Sequence, residues 1–114
     1  MKFCISGNGA MANAHAKALK AIPGAEITVV QTRTPEGAQK FAGEYNIPNA
    51  VTDFTAAVSR PDVDAVIIAT PDHSHAYIAM ECMRRGKHVY VQKPISHSVF
   101  EARVLTESAH KYKV

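Results

Sequence analysis

The chain has 114 residues, of which 46% are hydrophobic and 20% are charged, with a formal net charge of +3. This length predicts one domain with one hydrophobic core, and the balanced composition excludes a disordered chain. The longest apolar run, over residues 65–69, is far shorter than the roughly 20 residues of a membrane span, and the apolar start is too short for a secretory signal. We therefore expect no membrane partner.

The charged residues and the cysteines indicate neither a nucleic-acid partner nor a disulfide framework. Basic residues are scattered apart from Arg84, Arg85 and Lys87, which a solvated helix end explains, and the chain has no tryptophan. Cys4 and Cys82 both lie in apolar contexts. Two buried, reduced thiols are therefore expected, which is typical of a cytoplasmic protein.

Strand-like and helix-like segments alternate through the first half of the chain. β-branched and apolar residues indicate the strands, whereas alanine-rich segments and helical periodicity indicate the helices. Thr34 is a suitable N-cap for the second helix, with Pro35 at its first position, and that helix ends before Pro48. The predicted elements are a strand at Lys2–Ser6, a helix at Ala10–Ala21, a strand at Glu26–Gln31, a helix from Pro35 and a brief strand at Ala50-Val51.

The same alternation continues in the second half. Residues Asp64–Thr70 form the strongest predicted strand, apolar on both faces as in a central parallel strand. A capping box at Ser98–Glu101 predicts that the Glu101 side chain accepts a hydrogen bond from the Ser98 amide. The other predicted elements are a short helix at Phe54–Ser59, a helix from Pro71-Asp72 to about Arg85 with Gly86 as its C-cap, a strand at His88–Val91 and a helix at Ser98–Tyr112.

This alternation predicts an α/β fold. Strands separated by helices of this length form βαβ units around a parallel sheet, and right-handed crossovers leave few topologies. We predict a doubly wound, Rossmann-like parallel sheet of about five strands in the order 3-2-1-4-5. The whole of residues 1–114 is expected to form this single domain.

A glycine-rich turn links the first strand to the first helix. Gly7 permits the tight turn, Gly9 lets the backbone approach a pyrophosphate, and Ala12 allows close helix packing. The helix N-terminus adds free N–H groups and a positive dipole end, so the loop is predicted to bind the phosphates of a dinucleotide. The alternative is a glycine turn that only connects strand and helix. The G-x-G-x-x-A pattern is carried by Gly7, Asn8, Gly9, Ala10, Met11 and Ala12.

The residues after the second strand bear on the choice of dinucleotide. An acid here would bind a ribose 2′-hydroxyl and repel a 2′-phosphate, but the chain has Thr32, Arg33 and Thr34. The threonines can donate hydrogen bonds to a 2′-phosphate, and Arg33 can pair with its charge. NADP is therefore the preferred cofactor, with NAD as the second candidate. The alternative is that Arg33 is only a solvated loop residue.

Two further segments follow the fourth and fifth strands, at the sheet edge where such folds bind ligands. They are Thr70-Pro71-Asp72-His73-Ser74-His75 and Gln92-Lys93-Pro94. With the glycine loop and the stretch Gly86-Lys87-His88-Val89, they make the whole chain resemble the N-terminal half of the Gfo/Idh/MocA family. Members of this family are NAD(P)-dependent oxidoreductases that act on sugars, inositols and related polyols.

The resemblance implies roles for these two segments. Lys93 would reach the reacting hydroxyl carbon, orient the substrate and take part in proton transfer while hydride moves to the nicotinamide. Considered alone, Lys93 would be an exposed loop lysine. The residues that the resemblance places against this side of the cofactor are Thr70, Pro71, His73, His75, Gln92 and Lys93.

The spacing of His73 and His75 invites comparison with a metal site. Zinc needs three or four ligands, and no cysteine or acid recurs at suitable spacing, so no metal site is predicted. At the start of a helix, the two side chains are expected to cap backbone groups or to face the cofactor.

Two departures from the family pattern shape the predicted function. Gln92 stands where the family has glutamate, which keeps hydrogen bonding but removes a negative charge beside Lys93. The family's C-terminal α/β domain, which supplies the substrate pocket and a catalytic histidine, has no counterpart in the 114 residues. The chain is therefore expected to be an isolated cofactor-binding domain, whether a fragment, an engineered chain or a half-sized relative.

The leading hypothesis is an NADP(H)-binding domain with little or no turnover of its own. The alternatives are an active oxidoreductase completed by an oligomer partner, a non-enzymatic cofactor sensor or scaffold, and, more distantly, a methyltransferase. A homodimer is also expected, through the fifth strand, the last helix or both. The reason is that His88–Val91 would form a sheet edge of β-prone residues with unpaired backbone groups.

Overall fold

Parallel strands alternate with helices along the chain, in the order that the sequence predicts. The computed structural model describes residues 1–114. Its elements are β1 (Lys2–Ser6), α1 (Ala10–Lys20), β2 (Glu26–Gln31), α2 (Pro35–Tyr45), β3 (Asn49–Val51), α3 (Phe54–Val58), β4 (Ala65–Ile68), a 3₁₀ turn (Asp72–Ser74), α4 (His75–Arg84), β5 (His88–Val91) and α5 (Val99–Tyr112).

The five strands form one parallel sheet in the order β3-β2-β1-β4-β5, which confirms the predicted doubly wound α/β topology. The chain builds outward from β1 to β2 and β3, and then returns to the other side of β1 to add β4 and β5. The strand order therefore reverses between β1 and β4. In open sheets of this kind, the carboxyl ends of the strands at such a reversal border a crevice.

Alternate residues of the central strands face opposite sides of the sheet, and each side has its own core. Cys4 and Val29 belong to a cluster with residues of α3, α4 and α5. Their neighbours Ile5 and Val30 belong to a second cluster with residues of α1 and α2. All four side chains are fully buried. Because both faces of the sheet are covered, the central strands carry nearly continuous apolar runs.

Side-chain caps define where three of the helices begin. The Thr34 hydroxyl accepts from the Gly37 amide at α2, as predicted, and Asp53 caps α3 in the same way. At α5, Ser98 accepts from the Glu101 amide, but the Glu101 carboxylate accepts from His97 N–H at 2.8 Å rather than from Ser98. The predicted hydrogen bond from the Ser98 amide to the Glu101 side chain is therefore wrong by one residue. The amide directed at the carboxylate is that of His97.

The segment after β4 differs from its prediction. The strand covers only Ala65–Ile68 rather than Asp64–Thr70, and the predicted helix from Pro71 is divided into the 3₁₀ turn and α4. The division arises because both the amide and the hydroxyl of Ser74 donate to the Pro71 carbonyl, which closes a tighter turn than an α-helix.

The end of α4 is a Schellman motif. Arg85 is the C-cap, one residue earlier than the predicted cap Gly86, which follows it with φ +72°. The Gly86 amide donates to the Met83 carbonyl and the Lys87 amide to the Cys82 carbonyl. This pair of bonds ends the helix and directs the chain into β5.

The two cysteines are buried and unpaired, as expected. Burial raises the pKa of the Cys4 thiol far above its ordinary value, and the nearby Cys82 adds to this shift. Burial also raises the pKa of Cys82 to about 12. Both thiols therefore remain protonated at neutral pH and are inert core side chains. None of the five α-helices combines the length and apolar character that crossing a bilayer requires.

A very close backbone approach occurs where β1 ends. Gly7 has φ +115°, and a Cβ atom at this position would lie 2.5 Å from the carbonyl oxygen of Ala69. The Gly7 amide donates to Gln31 on one side, and the Ala69 amide donates to Ser6 on the other. The ends of β1, β2 and β4 are thus tied together at a point where no side chain fits.

We predict that Gly7→Ala destabilises the fold, because the new methyl group meets immobile backbone in a conformation that L-residues disfavour. A loss on the order of 1–3 kcal/mol in the free energy of unfolding is expected. Urea titration followed by circular dichroism measures it. The matched control is Gly43→Ala, at an exposed position of α2 where a Cβ meets nothing within 4 Å. Helix propensity predicts that this variant gains about 0.5–1 kcal/mol in the free energy of unfolding. Equal stabilities of the two variants would contradict the prediction.

Candidate functional site

A cleft lies at the carboxyl ends of β1, β2 and β4, where the strand order reverses. Its volume is about 580 Å³, within the range of small-molecule and cofactor sites. It runs from the start of α2, across the glycine loop, to the segment that follows β4. The lining residues are Gly7, Asn8, Gly9, Ala10, Met11, Gln31, Thr32, Arg33, Thr34, Ala69, Thr70 and Pro71.

The two glycines of the loop serve different needs. Gly7 is required by the fold, as shown above. Gly9 has an ordinary φ of −83°, and a Cβ built on it meets nothing within 4 Å. The fold therefore does not exclude a Cβ atom at Gly9, and the bare backbone leaves space here for a group from outside the chain.

The N-terminus of α1 faces this space without a cap of its own. Gly9 is the N-cap residue, and no side chain accepts from the first amides of the helix. Ala12 and Ala16 are fully buried, which lets α1 pack closely on the sheet. Free N–H groups, the positive end of the helix dipole and a bare Gly9 backbone together form a cradle for an anion.

The end of the cleft next to α2 is polar and carries one positive charge. Arg33 is the only charged residue in the lining, is exposed and forms no ion pair. The Thr34 hydroxyl accepts from the Gly37 amide and still has its own hydrogen to donate. The Thr32 hydroxyl donates to the Thr34 carbonyl at 2.8 Å, and Thr32 is buried. Of the two threonines expected to donate to a ligand, only Thr34 has its hydrogen available.

Asn8 connects the glycine loop to the first turn of α2. A Cβ on Gly37 would lie 2.7 Å from Asn8 Nδ2 and 2.9 Å from the Thr34 hydroxyl oxygen. The absence of a side chain at Gly37 therefore lets the Asn8 amide lie against α2.

The opposite end of the cleft is a hydrogen-bonded turn after β4. The Ser74 hydroxyl donates to the Pro71 carbonyl at 2.7 Å, so the Thr70 hydroxyl is the donor in its 2.8 Å contact with Ser74. Pro71 is exposed, and Thr70 is half-buried. The turn therefore presents a fixed surface rather than free donors.

The segment with Lys93 lies beyond this turn, after β5, and outside the cleft lining. Lys93 is exposed. Gln92 Oε1 lies 3.0 Å from His15 Nε2, a contact that joins this segment to α1. The His15 ring also packs edge-on against Tyr90, with ring centroids 5.2 Å apart. Gln92 is thus held by the body of the fold, while Lys93 projects from it.

His73 and His75 occupy different environments, although they are two residues apart. His73 is exposed in the 3₁₀ turn. His75 is only 1% exposed, and its ring nitrogens contact two backbone carbonyls: Nδ1 lies 2.6 Å from Pro94 O, and Nε2 lies 2.8 Å from Thr70 O. Its side chain is therefore engaged with the protein on both sides.

The structure divides the predicted site residues into two groups. Those of the glycine loop, the β2 end and the β4 end line the cleft. The other four are adjacent to it and not in its lining: His73, His75, Gln92 and Lys93.

Three residues of the site were missed by the sequence analysis. Gln31 ends β2 and Ala69 follows β4, so the rule that ligands bind at carboxyl strand ends could have identified both. His15 gives no such signal, because its partner Gln92 is 77 residues away.

Comparison with known proteins agrees with this geometry. The model of an oxidoreductase family with an NAD-binding Rossmann fold matches residues 1–114. The chain is 37% identical over 111 residues to a 4-carboxy-2-hydroxymuconate-6-semialdehyde dehydrogenase of Sphingobium sp. and 34% identical over 101 residues to an inositol 2-dehydrogenase of Mycolicibacterium vanbaalenii. These alignments cover 97% and 88% of this chain but 35% and 30% of the relatives, so the chain spans about a third of their length.

Solved structures show the same fold. The 3-ketoreductase KijD10 of Actinomadura kijaniata, determined in complex with TDP-benzene and NADP, superposes with a TM-score of 0.94 at 28% identity. The match covers 100% of this chain and 36% of KijD10. A methyltransferase, the most distant alternative from the sequence, is not what these comparisons support.

Proposed function

The chain belongs to the Gfo/Idh/MocA oxidoreductase family, and on that premise we propose that residues 1–114 form one NAD(P)-binding domain with a preference for NADP(H). The observation that carries this proposal is the open space at Gly9. The fold does not need a glycine there, whereas a pyrophosphate needs the backbone to be bare. The uncapped N-terminus of α1 supplies the donors and the favourable dipole.

The preference for NADP(H) is supported by the charge at the α2 end of the cleft. With the pyrophosphate at Gly9, the adenosine ribose lies toward the end of β2, next to Arg33 and Thr34. No acid lines the cleft to repel a 2′-phosphate, and the unpaired Arg33 guanidinium can bind one with charge-assisted hydrogen bonds. Thr34 adds a hydroxyl donor. Thr32 contributes by holding the Thr34 carbonyl rather than by donating to the ligand.

The remaining half of the dinucleotide then extends toward Thr70 and the segment with Lys93. When bound, the nicotinamide ring exchanges a hydride with a carbon atom of a sugar or polyol. We propose that Lys93 donates a hydrogen bond to the reacting hydroxyl and exchanges a proton with it. Gln92, bonded to His15, gives Lys93 no adjacent negative charge.

We further propose that the 114-residue chain binds the cofactor with little turnover of its own. Lys93 is exposed and lies outside the lining of the cleft. There are two competing proposals. In one, an oligomer partner completes the site, and in the other the domain is a sensor or scaffold. The reduction of NADP in the presence of a panel of polyols distinguishes these proposals. A rate per chain that rises with protein concentration supports completion of the site by a partner. Binding of NADP without its reduction supports a domain that only binds the cofactor.

The free, buried thiols Cys4 and Cys82 support the proposal of a reducing, cytoplasmic location. The exposed edge of β5 supports a homodimer. Tyr90 is 59% exposed on this edge strand, and an apolar groove of about 420 Å³ lies between β5 and α5, with Val89, Val91 and Leu105 in its lining. We propose that a second copy covers this edge, α5 or both.

Gly9→Val is predicted to abolish dinucleotide binding, because the branched side chain fills the space that the pyrophosphate needs. Isothermal titration calorimetry measures the binding of NADP, and circular dichroism is expected to report an unchanged α/β fold. The control, Gly43→Val, places the same side chain on exposed α2 and is expected to bind normally. Retained micromolar affinity in Gly9→Val would mean that the ligand binds elsewhere.

Arg33→Ala is predicted to narrow the preference for NADP over NAD by roughly ten- to a hundredfold, because it removes a charge-assisted contact with the 2′-phosphate. Calorimetric titration of each variant with both dinucleotides gives the ratio. Arg103→Ala, which removes an exposed cation from α5, is the charge-matched control and is expected to leave the ratio unchanged. Equal affinities for NAD and NADP in the starting protein would refute the preference.

Light scattering on a size-exclusion column is predicted to show a dimer at micromolar concentration. Tyr90→Lys, which places a charge on the exposed edge, is expected to shift the population toward the monomer. A starting protein that elutes with the mass of one chain at all concentrations would overturn the proposed assembly.

A further inference from the structure

The segment that carries Lys93 is connected to the rest of the site by very few hydrogen bonds. The ladder between β4 and β5 ends where the Gln92 amide donates to the Ile68 carbonyl at 3.0 Å. Past this point, one hydrogen-bonded connection joins the segment after β5 to the segment after β4, and it passes through the side chain of His75.

His75 is placed to act as a bridge between the two segments. Its ring lies between the carbonyls of Thr70 and Pro94, which belong to the chain just after β4 and just after β5. A carbonyl oxygen only accepts and a neutral imidazole carries one N–H, so the ring donates to one of these carbonyls, and its tautomer decides which one. The two ring nitrogens lie at opposite positions of one rigid ring, so the side chain contacts both segments at once. Because the ring is 1% exposed, water does not compete for these contacts.

A second histidine holds the other flank of Lys93. His15 Nε2 contacts Gln92 Oε1 at 3.0 Å, so the residue before Lys93 is tied to α1, and the residue after it is tied to His75. Lys93 itself makes no hydrogen bond within the chain and is exposed. Its position is therefore determined by its two neighbours.

We propose that His75 is a positioning residue, which holds the Lys93 segment against the Thr70 segment so that both face one nicotinamide ring. This inference rests on the proposed function for the identity of the ligand. It adds that the nicotinamide half of the site is assembled by a buried side chain, whereas the adenosine half is assembled by the sheet and the glycine loop. His75 touches neither cofactor nor substrate in this role.

The test compares two ligands in His75 variants. Adenosine 2′,5′-bisphosphate reaches only the Arg33 end and the anion cradle, whereas NADPH reaches both ends. His75→Phe keeps a ring and removes the N–H donor, and His75→Gln keeps an amide donor for one carbonyl. His110→Gln, on the exposed face of α5, is the matched control. Calorimetry gives both affinities, and the fluorescence of the dihydronicotinamide reports the surroundings of that ring.

We expect both His75 variants to bind adenosine 2′,5′-bisphosphate like the starting protein. NADPH affinity is expected to fall about tenfold in His75→Phe and by less in His75→Gln, and the change in fluorescence on binding should weaken in the same order. If His75 only stabilised the fold, its substitution would lower the affinities for both ligands by similar factors. His75 variants that bind NADPH with unchanged affinity and fluorescence would overturn the proposal.

Amide hydrogen exchange without ligand separates this proposal from the proposed function. In His75→Gln, the amides of Gln92 and His97, which donate to Ile68 and Glu101, are expected to exchange faster, while those of β5 and α1 are unchanged. Unchanged exchange at both amides would overturn the proposal whichever ligand binds. If neither ligand binds the starting protein, the proposed function fails, and hydrogen exchange still decides the role of His75.

Discussion

The approach of Gly7 to Ala69 is the constraint on which the site depends. Three neighbouring strands end at this point, and the backbone of β1 reaches within contact distance of the chain leaving β4 only because Gly7 lacks a side chain and adopts a positive φ. The same turn directs the chain into α1, so that the first amides of the helix face the gap between diverging strands. The cleft is thus a consequence of a backbone conformation, and its anion cradle exists before any ligand binds.

The two loop glycines show how a requirement of the fold can be separated from a requirement of function. At Gly7, an added methyl group collides with backbone, so the folded chain itself accounts for the glycine. At Gly9, it would meet empty space, so the folded chain does not account for it. Gly37 is intermediate, because its missing side chain admits Asn8, a loop residue that faces the cleft. Glycines such as Gly9 and Gly37, which the packing of the fold alone does not require, indicate a site more directly than the glycine pattern does.

The topology could be predicted from the sequence because it depends on local signals. Alternating apolar strands and capped helices of ordinary length leave few arrangements, and the Thr34 cap was predicted at the correct residue. The errors lie where side chains decide between local alternatives: Ser74 tightens the turn before α4, and Glu101 binds the His97 amide. The sequence predicts that the Thr32 hydroxyl donates to a ligand, whereas in the structure it donates to the Thr34 carbonyl, because of how the chain turns after β2. Contacts such as that of His15 with Gln92 join distant residues and leave no local pattern.

The two halves of the proposed site are held by different kinds of interaction. At the α2 end, strand ladders, the glycine turn and a helix cap fix the backbone of the residues that line the cleft. At the other end, the ladder has stopped at Gln92, and two histidine contacts hold the segment that carries Lys93. We therefore expect that substitutions in the second half change the position of Lys93 without disturbing the sheet. Gln92, at the position where the resemblance implies a glutamate, lies in this half, whereas the glycine pattern of the proposed anion cradle is intact. The chain thus keeps the glycine pattern expected of a dinucleotide-binding loop and departs from the expected pattern in the segment that we propose to act on the substrate.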